Sequence, residues 1–289
     1  MANVLVTGGA GSLGLRLSLA LCEKGHQVSI FDLPQCDYRW AEGREDIRLF
    51  KGDIRDARLL EEALAGIHTV MHLAALLPPN SERNRERTWE INVGGTQGIL
   101  DACLRQKEPP HLVFASSVST YGDTSREEPP LRVTQPQRPL EVYGESKVAA
   151  EKVILASSLP YTILRISGIA VPAFLDPPEV WPFMAWQRIE FIAVGDLVTC
   201  LVSLVGKQEA QGKILNIAGG PSWQVSGEEY VRRYCETMEM PMEEAGFLDR
   251  PGWLDWYDTA ESQALLHYQE TSLDRFHQLL RAAVEEALA

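Results

Sequence analysis

The sequence predicts an α/β fold, a doubly wound parallel sheet with a small C-terminal lobe. Three observations carry that expectation. Short β-rich runs alternate with helical patterns through the first half of the 289 residues, a glycine-rich turn joins the first run to the first helix, and the alternation fades after about residue 167. Strands separated by helices pair in parallel, and a parallel sheet is covered by helices on both faces.

The elements follow in order. NVLVT (3–7) is the first strand and LGLRLSLALCEKG (13–25) the first helix, its leucines at helical spacing and its end marked by Gly25. QVSIFD (27–32) and DIRLFKGD (46–53) read as strands, DARLLEEALAG (56–66) as a helix, and HTVMHLAA (68–75) as the next strand. A long polar-faced helix is expected over about 82–106, then the strand HLVFASS (111–117). A Pro-rich loop (129–139) precedes a helix from Val142 to Ser157 and the strand YTILRIS (161–167). Beyond it only KILNIAGG (213–220) looks like a further sheet strand. The expected division is therefore a sheet domain over 1–167, completed by segments within 189–218, and a small lobe from 168–188 and 219–289.

Composition narrows the function classes. A net charge of −13 argues against binding nucleic acid or anionic membranes, which calls for a basic surface. The five cysteines, Cys22, Cys36, Cys103, Cys200 and Cys235, are scattered and odd in number, with no C-x-x-C pair. They read as reduced thiols, without a disulfide framework or metal site. No run approaches the ~18 apolar residues of a membrane span, and the N-terminus lacks a basic-then-apolar leader. The expectation is a soluble cytoplasmic protein.

The stretch LVTGGAGSLG fits Gly9-x-Gly11-x-x-Gly14 and Gly8-x-x-Gly11-x-x-Gly14 together. Glycines let the backbone approach a pyrophosphate, and the following helix turns unpaired N–H groups and a positive dipole end toward it. Asp32 ends the second strand, where a carboxylate bonds the ribose hydroxyls and repels a 2′-phosphate; Leu33 and Pro34 bring no arginine. This Rossmann-type pattern favours NAD over NADP. Asp53, in KGDI, faces the adenine amino group or is simply an exposed turn acid.

Chemistry is suggested by EVYGESKVAAEKV (141–153), which places Tyr143 and Lys147 one turn apart on one helix face. A free phenol has a pKa of ~10, and a nearby ammonium favours the phenolate, which suits proton transfer at a secondary alcohol or ketone. Ser117, at the end of the expected fifth strand in FASSVSTYG, lies where ligands bind in this architecture and is placed to bond the reacting oxygen.

Taken in order, TGGAGSLG, FD, GDI, HLAA, INVGGT, FASSVSTYG and YGESK resemble the extended short-chain dehydrogenase/reductases, specifically their NAD-dependent epimerase/dehydratase branch. The likeness is close over about residues 3–167 and looser through EFIAVGDLV (190–198), KILNIAGG and DTAESQALL (258–266). It implies Ser117, Tyr143 and Lys147 as the catalytic set. It implies Gly8, Gly11, Ser12, Leu13, Gly14, Asp32, Asp53, Ile54, Leu73, Ala74, Ala75, Asn92, Tyr143 and Lys147 around NAD, with Asn92 supporting the active-site helix or serving only as a helix-interior residue. On the substrate side it implies Ser117, Ser119, Tyr143 and Arg250, and it implies a homodimer built on the helices near 82–106 and 142–157.

The chain also departs from that family. Ser117-Val118-Ser119 replaces the Thr-Asp-Glu of dehydratases, which argues against expulsion of water. Gly168 stands at a usual Asn, and Ile189 at the usual phosphate-binding Arg, with Arg188 one position off. Trp181, Phe183, Trp186, Trp253 and Trp256 enrich the short lobe and read as core before ligand box. The reading is an NAD-dependent epimerase of a sugar or nucleotide sugar. The alternatives are a dehydrogenase or reductase of an apolar, hydroxysteroid-like alcohol or ketone, and a non-catalytic NAD(H) sensor.

Overall fold

The computed structural model describes residues 1–288. A seven-stranded parallel sheet forms the centre, with β1 (Asn3–Thr7), β2 (Gln27–Asp32), β3 (Ile47–Lys51), β4 (Thr69–His72), β5 (His111–Ser117), β6 (Tyr161–Ile166) and β7 (Lys213–Ile217). Their order across the sheet is β7-β6-β5-β4-β1-β2-β3. The chain direction of assembly reverses beside β1, which pairs with β2 on one side and β4 on the other. In this architecture ligands bind beyond the carboxyl ends of the strands at that switch point.

The helices are α1 (Ser12–Glu23), α2 (Ala57–Leu64), α3 (Asn80–Arg83), α4 (Arg85–Trp89), α5 (Gly95–Leu104), α6 (Val142–Leu155), α7 (Val194–Ser203), α8 (Gly227–Met238), α9 (Ala260–Leu266) and α10 (Leu273–Leu288). The continuous helix expected over 82–106 is instead three helices and a π-helical turn at Glu90–Gly94. Asn84 causes the first break: it is extended, at φ −149°, and its side chain accepts from the Arg87 N–H to start α4. Asn92, within the π turn, is buried and its side-chain amide bonds outside its own helix, in a kind of bulge frequent at functional sites.

The chain divides into two compact units. The first is Met1–Ser117 with Glu141–Arg165 and Val198–Leu215; the second is Val118–Leu140 with Ile166–Leu197 and the remainder from Asn216. In the first, Leu5, Phe31, Val70, Leu112, Phe114 and Ile163 of the sheet pack on Ile99 and Leu100 of α5 and Ala150 and Ile154 of α6, all buried. Burial of each of the larger side chains among these contributes ~1.5–3 kcal/mol. In the second, Trp181, Phe183, Ile189, Trp223 and Tyr230 form a core with Phe276 and Leu280 of α10. Two of the lobe's expected core aromatics, Trp181 and Phe183, are thus core, whereas Trp186 is 59% exposed.

Candidate active site

The turn after β1 is built so that only glycine fits. Gly8 sits at φ +72°, and a Cβ there would meet the Ala74 backbone nitrogen at 2.8 Å. A Cβ on Gly14 would stand 2.2 Å from the Gly8 carbonyl oxygen, so α1 and the loop touch backbone to backbone. Gly11 caps α1 without a side chain, and the first turn of the helix contains no acidic residue. Its first N–H groups, beside exposed Gly11 and Ser12, have no side-chain cap, the arrangement that suits an anion. Leu13 is half-buried behind them.

Asp32 is already oriented. One carboxylate oxygen accepts from the Ala10 N–H at 3.0 Å and the other from the Leu33 N–H at 2.8 Å. The carboxylate so ties the end of β2 to the glycine loop. Beside the turn Leu73, Ala74 and Ala75 are half-buried, and Ala74 N–H donates to Thr7 Oγ1 at 3.3 Å. Thr7 also meets His72 Nδ1 at 2.8 Å, while His72 Nε2 meets Thr96 Oγ1 at 3.0 Å. Burial, then the nearby Lys147, holds His72 down at about 3, so it is neutral.

Asp53 is committed to a local partner. Arg55 donates to it from Nε at 2.9 Å, from Nη2 at 2.8 Å and from its backbone N–H at 2.9 Å. Ile54 is buried against Gly95, so its side chain belongs to the core and only its backbone is left to meet a ligand.

α6 brings Tyr143 and Lys147 together. Lys147 is 2% exposed, and its Nζ lies 5.6 Å from the Tyr143 ring centroid and 4.7 Å from that of Phe114. It donates to the Ala115 carbonyl at 2.7 Å. Burial drives the ammonium down to about 7, and the Glu151 carboxylate one turn further along α6 pulls it partly back. The expected depression of Tyr143 by the ammonium is not what this arrangement gives: burial pushes the phenol up from its ordinary value. The half-buried ring loses more from desolvation than the amine returns across that separation. Ser117 is buried at the end of β5, in the same unit as Tyr143 and Lys147.

Behind this group lies a charged core that sequence reasoning missed. Glu151, 1% exposed in its side chain, accepts from Arg165 Nε at 3.1 Å and Nη2 at 2.7 Å, and from Ser116 Oγ at 2.5 Å. The i, i+4 spacing of Lys147 and Glu151 was the available signal. Asn92 binds the Leu76 peptide on both sides, accepting at 2.7 Å and donating at 3.1 Å, and donates to Ser146 Oγ on α6 at 2.9 Å.

In the second unit Ser119 is buried and Arg250 is exposed. Ile189 is fully buried and cannot contact a ligand. Arg188 is held by Asp255, with Nε–Oδ1 at 2.6 Å and Nη2–Oδ2 at 3.0 Å, and donates to the Thr124 and Glu127 carbonyls.

A family model described as the NAD dependent epimerase/dehydratase family matches residues 4–178. The chain belongs to that family. Among its relatives is a UDP-glucose 4-epimerase of Halalkalibacterium halodurans, 36% identical over 174 residues, 58% of this chain and 51% of the relative. Another is a 3 beta-hydroxysteroid dehydrogenase/Delta 5-->4-isomerase of Mycobacterium tuberculosis, 30% identical over 163 residues, 55% of this chain and 43% of the relative. The chain spans about half the length of the curated relatives it matches. A crystal structure of UDP-glucuronic acid 4-epimerase from Bacillus cereus, in complex with UDP-glucuronic acid and NAD, superposes with a TM-score of 0.82 over 99% of both chains at 22% identity. That likeness establishes the shared fold. Membership in the NAD-dependent epimerase/dehydratase family agrees with the glycine cradle, the oriented Asp32 and the Tyr143–Lys147 helix, all built within one unit.

Proposed function

We propose that the chain is an NAD-dependent epimerase that moves hydride at a secondary hydroxyl of a sugar or nucleotide sugar. The observation that carries this reading is the buried Lys147 beside Tyr143 on α6, in the unit that also holds the glycine cradle. The first turn of α1 would hold the pyrophosphate of NAD, Gly8, Gly11 and Gly14 giving it room, and Asp32 a ribose. Leu73–Ala75, Asp53 and Asn92 complete that set, Asn92 through its hold on α6. NAD bound there supplies a hydride acceptor.

Tyr143 takes the hydroxyl proton of the substrate as the carbinol becomes a ketone, and returns it when the ketone is reduced. Lys147, beside the phenol on the same helix face, bonds a ribose hydroxyl and so holds the cofactor against Tyr143. Ser117 bonds the reacting oxygen and keeps it within reach of Tyr143, so both proton transfers use one geometry. Ser119 and Arg250 are assigned to the substrate side. The sheet segment 1–167 with parts of 189–218 serves the cofactor, and 168–188 with 219–289 serves the substrate.

The second reading, a dehydrogenase or reductase of an apolar ring alcohol, is favoured by Arg188. Its guanidinium is engaged by Asp255 and so is poorly placed to neutralise a diphosphate. A homodimer fits the apolar strip on α5 and α6, where Leu104 and Leu155 are 40% and 44% exposed. Five free cysteines suit a reducing, cytoplasmic setting.

The experiment is incubation of the purified chain with UDP-glucose, with UDP-glucuronic acid and with a 3β-hydroxysteroid. Interconversion of a sugar nucleotide without added NAD supports the epimerase; stoichiometric NADH from the steroid supports the second reading. Bound NAD with neither conversion would overturn both and leave the sensor.

A further inference from the structure

The helix that carries Tyr143 starts without a cap from its own sequence. The side chain of Glu141, the residue at its N-cap position, does not cap the helix, although the first N–H groups of a helix have no partner within it. The partner comes from α3. Glu82 Oε2 accepts the Val142 N–H at 2.9 Å, and Glu82 Oε1 accepts the Tyr143 N–H at 3.0 Å. Ser81, fully buried, donates to the same Oε1 at 2.9 Å and fixes the carboxylate.

Tyr143 is thereby held on both sides of its Cα. Its N–H goes to Glu82, and its carbonyl accepts from Ser146 Oγ at 2.7 Å, which in turn is held by Asn92. Arg85 of α4 pairs with Glu145 of α6 beside the same turn. Two short helices and the π turn thus grip the start of α6 at Val142, Tyr143, Glu145 and Ser146.

We propose that Glu82 is a positioning residue for Tyr143: its carboxylate clamps the first turn of α6 and so fixes the place and surroundings of the phenol. This rests on Tyr143 being the proton-transfer group. The clamp acts in two ways. It holds the backbone from which the ring projects, and small misplacements of a reacting group are costly. It also sets a negative charge against the positive end of the helix, opposing phenolate formation in that turn. The other charged groups at this turn are Glu141, the Arg85–Glu145 pair, and Lys147 on α6 itself.

The test is NMR of the whole chain with 13Cζ-labelled tyrosine, the Tyr143 signal being assigned by its loss in Tyr143→Phe. In Glu82→Gln and Glu82→Ala the signal is expected to move at neutral pH, and its alkaline titration to begin roughly 0.5 pH unit lower. Amide exchange at Val142 and Tyr143 is expected to quicken about tenfold or more. If exchange quickens and the melting temperature falls while the Tyr143 signal and its titration match wild type, Glu82 is only a helix cap and the proposal fails. Glu82→Gln keeps the side chain's length and one acceptor oxygen, so it carries the comparison if Glu82→Ala does not fold. Turnover surviving in Tyr143→Phe would instead overturn the role of Tyr143, leaving the NMR result on the clamp intact.

Discussion

Glu151 and Arg165 form a two-pronged ion pair, with side chains 1% and 5% exposed, one helical turn beyond Lys147. Two buried charges of opposite sign offset each other's desolvation, and removing one leaves the other uncompensated. A second cation, Lys147, draws on the same carboxylate. Glu151→Gln is therefore expected to cost about 3–5 kcal/mol in urea unfolding. It should also lower the Lys147 ammonium further below about 7. The measurement is denaturant unfolding together with 15Nζ-lysine NMR. An unchanged lysine titration would show that Glu151 serves the sheet and not the amine.

Lys147 also predicts a slope of stability with pH. The unfolded chain keeps this proton up to about 10.5, and the folded chain releases it near 7. Between those values unfolding takes up a proton, so the penalty of the buried charge is full below pH 7 and is relieved as pH rises toward 10.5. Lys147→Met, which keeps the stem but has no charge, is expected to stabilise the fold most at pH 6 and to lose that advantage by pH 10. Parallel curves for the two proteins across that range would refute the assignment.

Much of this was legible in the sequence, and for a stated reason. β1, β2 and β5 fall where their runs were drawn, because apolar stretches bounded on at least one side by Gly, Asp or Pro leave little freedom in a parallel sheet. The Tyr143–Lys147 face follows from helical spacing alone. The break at Asn84 rests on its extended backbone and its cap on the Arg87 N–H. The π turn at Glu90–Gly94 was not legible, since Asn92 within it bonds the distant Leu76 backbone. Nor was Glu82, whose partners lie sixty positions away on α6. Arg188 stands in sequence one position from the usual phosphate-binding Arg; only folding reveals Asp255 against it.

The cradle makes a sharp prediction at Gly14. An added methyl would stand 2.2 Å from the Gly8 carbonyl oxygen, and the neighbours it meets are backbone atoms that cannot rotate away. Gly14→Ala should force α1 off the loop, costing about 1–3 kcal/mol. It should weaken NAD binding by about tenfold or more, because the helix N–H groups lose their aim. Calorimetric titration with NAD reads the second effect. Gly25→Ala is the control: that glycine, at φ +79°, has open space around it, so it should lose stability without losing NAD.

Glu190 gives a prediction of opposite sign in the second unit. It is fully buried and accepts N–H bonds from Gly220 at 2.8 Å, Tyr257 at 2.9 Å and the Gln224 amide at 3.1 Å. Desolvation raises its carboxyl to about 7 despite those bonds, against 4.5 in the unfolded chain. From pH 4.5 to 7 the folded state therefore holds a proton that the unfolded state has lost, and this group's contribution falls as pH rises through that window. Glu190→Gln keeps the shape and an acceptor oxygen without the charge. It should be nearly neutral at pH 4.5 and relatively more stable than wild type at pH 7. Thermal unfolding of both proteins at the two pH values decides it: a variant equally or more damaged at pH 7 would mean that the ionised carboxylate is what the three donors require.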